Sequence, residues 1–205
     1  KEIDVLMDDG KEYNIKESKT FKDISFPKLK LPKSKEGLIF IYNYFDIIGT
    51  FVLDKVFRAN GLVRWLPKRE MTKYQKGLKN GFEFTYFNQP YEKEYDYKRY
   101  AIINGSVSKE NQKEILKIFR SEENTNGKII KYIVGSSVMA EGINLYNVRE
   151  VHILHPEWRE STINQIQGRA IRLCSHQNLE RDKRKVRAFI YVSAYPKEIK
   201  KFKYL

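Results

Sequence analysis

Gln165-Ile166-Gln167-Gly168-Arg169-Ala170-Ile171-Arg172 is the stretch whose residue types and spacing best support chemistry. Continued as a helix, it puts Gln165, Arg169 and Arg172 at i, i+4 and i+7, on one face. Ile166, Ala170 and Ile171 can then turn into a core. Two guanidiniums beside a glutamine make a clamp for phosphate oxygens, because arginine binds them bidentately and never loses its charge. A glycine inside such a helix costs roughly 1 kcal/mol against alanine, so Gly168 suggests that another backbone or a ligand passes close. Taken alone, the eight residues also fit a basic surface helix with a chance glycine. A second candidate is Ser136-Ser137-Val138-Met139-Ala140-Glu141-Gly142-Ile143-Asn144-Leu145. Small hydroxyl residues and glycine at a strand end suit the close approach of a phosphate chain, although an ordinary strand-to-loop turn fits the same residues.

Such groups must be positioned by regular elements. Leu38-Ile39-Phe40-Ile41-Tyr42 is a short unbroken apolar run after Gly37, the pattern of a strand covered on both faces. Residues 46–60 carry apolar side chains at Ile47, Ile48, Phe51, Val52, Val56 and Phe57, a helical period, and Gly61 supplies the stop. Tyr100 to Ile103 predicts a strand ending at Asn104-Gly105, and Ser108 to Arg120 an amphipathic helix with Ile115, Leu116, Ile118 and Phe119 on its buried side. Further strands are expected at 129–134, 151–154 and 187–193, a helix at 161–173 and a terminal helix from Pro196. Strands alternating with helices of this length imply a parallel sheet with helices on both faces. Residues 1–36 read as a linker or the tail of a preceding region, since Pro27 and Pro32 discourage a long helix. Residues 62–99, rich in tyrosine and in charges of both signs, read as an insertion in a domain spanning 37–195, with a C-terminal helix over 196–205.

A chain of 205 residues with a formal charge of +13 favours a polyanionic partner, most plainly nucleic acid, because Lys and Arg displace counterions condensed on phosphates. A single cysteine, Cys174, rules out an internal disulfide and fits a reducing intracellular compartment. No apolar stretch is long enough to span a membrane. The first residue is Lys1 rather than Met, so a piece of a longer protein is expected.

The Gln165–Arg172 segment resembles motif VI of superfamily-2 helicases, Q-x-x-G-R-x-x-R, whose arginines reach across an interlobe cleft. The segment from Ser136 to Leu145 resembles motif V in its Swi2/Snf2-like and viral form. Asn104-Gly105-Ser106-Val107-Ser108 with the helix after it resembles the motif IVa region, and Leu38 to Tyr44 the motif IV strand. Val151 to Trp158, with His155-Pro156-Glu157-Trp158, matches the strand and turn leading into motif VI. The matches run in order over about residues 37–176. Finer features, among them Gly-Arg-Ala-Ile-Arg-Leu-Cys-Ser-His ending at His176, look most like helicase-like ATPases of large cytoplasmic DNA viruses, such as poxvirus nucleoside triphosphatase I, the poxvirus early transcription factor ATPase subunit and giant-virus relatives. One departure shows: Gln112 stands seven residues after Gly105, where Swi2/Snf2 relatives usually place arginine.

The resemblance implies an α/β fold, a RecA-like three-layer sandwich with a central parallel sheet, forming the second lobe of a nucleic-acid-dependent ATPase. It implies that Arg172 neutralises charge on the γ-phosphate, that Arg169 also meets the phosphates, and that Gln165 couples nucleotide state to lobe closure. Gly142 and Asn144 would lie nearest the nucleotide, and Ser136, Gly105 and Ser106 nearest the nucleic-acid backbone. The substrate would be ATP with Mg²⁺, held mainly by a first RecA-like lobe, and other partners DNA or RNA and a viral RNA polymerase. If the protein is viral, host cytoplasm or virion is the expected location. The 205 residues contain no G-x-x-x-x-G-K-[ST] and no D-E-x-x pair after a strand, so on their own they are expected not to hydrolyse ATP. A non-catalytic nucleic-acid or protein-binding module of a viral transcription complex is the alternative. His152, His155 and His176 lack metal-ligand spacing with Cys174, Cys174 reads as a semi-buried helix residue, and no metal site is expected. The aromatics of residues 82–100 suit either packing of a small subdomain or stacking on unpaired bases.

Overall fold

The computed structural model describes residues 3–6, 12–15, 37–67, 95–140, 143–155 and 159–192. Its elements in chain order are β1 (Ile3–Leu6), β2 (Glu12–Ile15), β3 (Leu38–Tyr42), α1 (Ile47–Ala59), β4 (Val63–Arg64), β5 (Arg99–Ile103), α2 (Lys109–Phe119), β6 (Tyr132–Gly135), β7 (Val148–Ile153), α3 (Glu160–Gln167) and β8 (Arg187–Ile190). Within the region expected to be a linker, β1 and β2 pair antiparallel. The other six strands form one sheet in the order β4-β5-β6-β3-β7-β8, and every neighbouring pair is parallel. The expected terminal helix over 196–205 lies outside the described residues.

The central strand β3 is buried along its whole length, as its unbroken apolar run requires. Leu38, Phe40 and Tyr42 face one core with Ile115, Leu116 and Phe119 of α2 and Ile166 of α3. Ile39 and Ile41 face the other with Phe57 of α1, Leu62, Tyr100 and Tyr132. Helices on both faces of a parallel sheet are the three-layer α/β sandwich, the RecA-like layout that the sequence implies. Burying each large apolar side chain of these clusters stabilises by roughly 1.5–3 kcal/mol.

Several boundaries differ from expectation, each for a visible reason. The region read as an insertion begins inside the sheet: β4 pairs with β5, and Leu62, Val63, Trp65 and Leu66 are buried. Its residues 68–94 lie outside the described residues. The strand expected from Ile129 starts instead at Tyr132, because the buried side chain of Asn124 accepts from the backbone N–H groups of Ile129 and Ile130 at 2.8 and 2.9 Å. In α1 the inward face carries polar groups. Thr50 Oγ1 accepts from Asn104 Nδ2 at 2.9 Å, and Asp54 Oδ1 accepts from the Tyr100 hydroxyl at 2.7 Å. Asp54 also pairs with Arg58 at 2.9 Å. Burial, first, and the Asp54 charge beside it push the Tyr100 hydroxyl well above its ordinary range. With those partners inside, Ile48 is 77% exposed.

At the far edge, β8 is exposed along its length and is fastened by polar contacts. Glu150 on β7 meets His152 Nε2 at 3.2 Å and accepts from the Arg187 guanidinium. His152 Nδ1 reaches the Tyr191 hydroxyl at 2.7 Å, and its ring stacks on Phe189. The hydrogen bond from His152, opposed by burial and assisted by Arg187, holds the Glu150 carboxyl below its ordinary value. A depressed carboxylate contributes stability above its unfolded pKa and loses it as pH falls through the folded value. Glu150→Gln should therefore cost on the order of 1 kcal/mol near neutral pH. In denaturant titrations its gap from wild type should close as pH drops below about 4; a gap that persists into acid would contradict the assignment.

Candidate nucleotide and nucleic-acid edge

Because all six strands of the sheet run one way, the chain leaves β3, β5, β6 and β7 at a single edge. That is where open parallel sheets bind ligands. Ser136 follows β6 and is fully buried. Its N–H donates to Ile103 O at 3.3 Å, while its hydroxyl has no hydrogen-bond partner among the described residues. A Cβ on the preceding Gly135 would lie 2.2 Å from Met139 Sδ, so only glycine lets the turn over Ser137–Ala140 fold back on the strand end. Gly142 lies outside the described residues, and Asn144 is half-buried.

The loop after β5 is built by Asn104, whose Oδ1 accepts from both the N–H and the hydroxyl of Ser106 at 3.1 and 2.7 Å. Ser108 caps α2 by accepting from Asn111 N–H at 3.3 Å. Gln112, at the position where Swi2/Snf2 relatives usually place arginine, donates to Val107 O at 2.8 Å and braces the same loop. The backbone N–H of Gly105 is engaged by Asp46, whose two carboxylate oxygens each lie at 3.1 Å. A Cβ on Gly105 would sit 2.6 Å from Asp46 Oδ2. Asp46 stands at the N-cap of α1 yet makes no cap hydrogen bond there; it spends its carboxylate across the sheet edge instead. Any phosphate reaching the Gly105 amide must displace it. Sequence reasoning missed this contact, because nothing in local spacing reports that residues 46 and 105 meet.

The arginine segment departs most from expectation. The helix ends at Gln167 rather than Leu173, with Gly168 as its C-cap and i→i−3 bonds such as Arg169 N–H to Ile166 O at 3.1 Å closing the last turn. Gln165, Arg169 and Arg172 therefore do not share a helix face. Gln165 is exposed, Arg169 is buried, and Arg172 is exposed. Ala170 is buried as expected but Ile171 is 49% exposed. A Cβ on Gly168 would meet carbonyls of its own helix, Asn164 O at 3.1 Å and Gln165 O at 3.4 Å, rather than a second backbone. Cys174 is an exposed turn residue with φ 65°, not a semi-buried helix residue.

The Ser136–Leu145 segment and the arginine segment are nonetheless joined. Leu145 N–H donates to Arg169 O and Asn147 N–H to Ser175 O, both at 2.9 Å. His176 locks the join: its Nε2 lies 2.7 Å from Val148 O and its Nδ1 2.7 Å from the Ser175 hydroxyl. Arg172 is pinned through one nitrogen, Nε donating to Gly168 O at 2.9 Å, and its side chain stays in solvent. A fixed, exposed guanidinium suits phosphate oxygens presented from outside the domain. Among the described residues no three His, Cys, Asp or Glu side chains are grouped to hold a metal ion.

The family model of the helicase conserved C-terminal domain matches residues 71–174, which hold both the Ser136–Leu145 and the Gln165–Arg172 segments. The chain belongs to the helicase conserved C-terminal domain family. The chain is 40% identical over 99 residues to a protein of Acanthamoeba polyphaga mimivirus provisionally named an ATP-dependent RNA helicase, covering 48% of this chain and 17% of that protein. It is 30% identical over 179 residues to a provisionally named helicase of Invertebrate iridescent virus 3, covering 83% of this chain and 16% of the other. A termination factor NPH-I homolog of African swine fever virus is 26% identical over 187 residues, covering 84% of this chain and 26% of the other. The helicase domain thus matches about a quarter or less of the length of each of these relatives.

The burial difference between the two arginines separates their roles in folding. Arg169→Ala should destabilise by roughly 1–3 kcal/mol, and Arg172→Ala by no more than about 0.5 kcal/mol. Urea denaturation of both variants checks this; equal losses would contradict the geometry.

Proposed function

We propose that this helicase domain is the second lobe of a nucleic-acid-dependent ATPase, a helicase or translocase, and that Arg172 is its trans-acting arginine. The observation that carries the reading is Arg172 itself: exposed, pinned at Nε, and set on a turn whose backbone is bonded to the Ser136–Leu145 segment. ATP would lie between this edge and a first lobe that supplies the phosphate loop and the Mg²⁺ carboxylates; these 205 residues contain neither G-x-x-x-x-G-K-[ST] nor a D-E-x-x pair. Arg172 would place fixed positive charge against the γ-phosphate as negative charge develops there. Arg169, buried, would hold the turn and lend its charge from behind, and Gln165 would report lobe closure. Gly142 and Asn144 would line the nucleotide side of the segment before β7.

The nucleic-acid backbone would cross the exits of β5 and β6, where Gly105, Ser106 and Ser136 sit. The buried Ser136 hydroxyl, without a partner among the described residues, supports this, and so does the charge of +13. Closing the lobes on ATP and reopening them after hydrolysis would alternate the backbone grip and give directional movement. The role we propose is in viral transcription or genome handling, beside a viral RNA polymerase and on DNA or RNA, in the host cytoplasm or virion; relatives named a termination factor homolog and an ATP-dependent RNA helicase support its transcription and RNA parts.

In the full-length protein, Arg172→Ala should lower nucleic-acid-stimulated ATP turnover by at least about a hundredfold while nucleotide binding persists. Unchanged turnover would show that Arg172 is not the transition-state arginine.

A further inference from the structure

The loops that follow the adjacent strands β3 and β7 carry three aromatic rings that the reading above leaves unused. Tyr44 and Phe45 come directly after β3, and His155 shortly after β7; Leu154 N–H donates to Tyr42 O at 3.0 Å and ties the two exits together. Phe45 sits between the other two in edge-to-face contact. Its centroid lies 5.5 Å from Tyr44 at an interplanar angle of 81°, and 4.9 Å from His155 at 82°. Rings packed this way are normally core, yet Tyr44 is 50% and Phe45 51% exposed, and His155 is exposed. The rings are thus ordered against each other while presenting surface to solvent.

We infer that Tyr44, Phe45 and His155 form a stacking platform for an unpaired base of single-stranded nucleic acid. This rests on the reading of the carboxyl edge as a nucleic-acid track. Three observations select this occupant. The platform is continuous with the proposed backbone-contact loop, because Asp46, the residue after Phe45, is the one bonded to the Gly105 amide. The Asp46 carboxylate disfavours a phosphate immediately beside the rings but does not repel a neutral base. The chain's charge of +13 draws polyanions to the molecule as a whole. Tyr, Phe and His are the ring types on which splayed bases stack, with little dependence on sequence. The platform therefore gives the edge a preference for single strands over duplex, which backbone contacts alone do not supply.

The test is a cycle on the full-length protein. Binding of an oligothymidine, the same strand with abasic sites, and a blunt duplex is measured by fluorescence anisotropy for wild type, Tyr44→Ala, Phe45→Ala and Phe45→Trp. Either alanine variant should weaken oligothymidine binding about tenfold and leave abasic and duplex binding within about twofold, and Phe45→Trp should retain wild-type affinity. Equal weakening on all three ligands, or none on oligothymidine, overturns the platform. If wild type binds none of the three in a salt-dependent way, the nucleic-acid reading of the edge itself has failed. If wild type binds all three and the alanine variants match it throughout, only the platform has failed, and the exposed rings serve a protein surface.

Discussion

Six strands running in one direction impose the constraint on which the rest of this domain depends. Parallel pairing sends each strand exit to the same edge, so residues far apart in sequence, Asn43 to Asp46, Asn104 to Ser106, Ser136 and His155, come out side by side without any of them having to cross the sheet. The cost is a sheet that needs cover on both faces, which α1 supplies on one side and α2 and α3 on the other. Backbone amides that no strand or helix uses are then left at that edge, next to side chains chosen to satisfy or to leave them.

Satisfaction at this edge is uneven in an informative way. Asn104, Thr50 and Gln112 spend their polar atoms on bracing loops, and Ser175 with His176 fastens the turn that carries Arg172 to the start of β7. By contrast the Ser136 hydroxyl is buried with no partner among the described residues. Asp46 declines the cap of its own helix to hold the Gly105 amide. Asn43 Oδ1 at the same edge is likewise buried without a partner among the described residues.

The layered fold was legible because its signals are local and periodic: the unbroken run over β3 and the amphipathic period of α2 with Ser108 at its cap need no knowledge of the rest of the chain. The order of the motif-like segments was legible for the same reason. What escaped the sequence was set by distant partners. Asn124 delays β6 by taking the amides of Ile129 and Ile130, Tyr100 and Asn104 recruit Asp54 and Thr50 to the inner face of α1, and Trp65 and Leu66 belong to the core although their neighbours read as an insertion. The helix carrying the glutamine lies where its periodicity predicts but stops at Gln167. Spacing of i, i+4 and i+7 describes a face only while the helix continues, and the bonds that close it at Gln167 leave one arginine inside and the other out.

Nucleic acid is proposed to track over the carboxyl edge of the parallel sheet. Hydrogen–deuterium exchange of the full-length protein with and without a single-stranded oligonucleotide tests it most directly. Added protection is expected in peptides spanning residues 104–108 and 136–140, with none in the turn of residues 121–131 at the opposite edge. Protection confined to that opposite turn, or to the exposed strand β8, would contradict it.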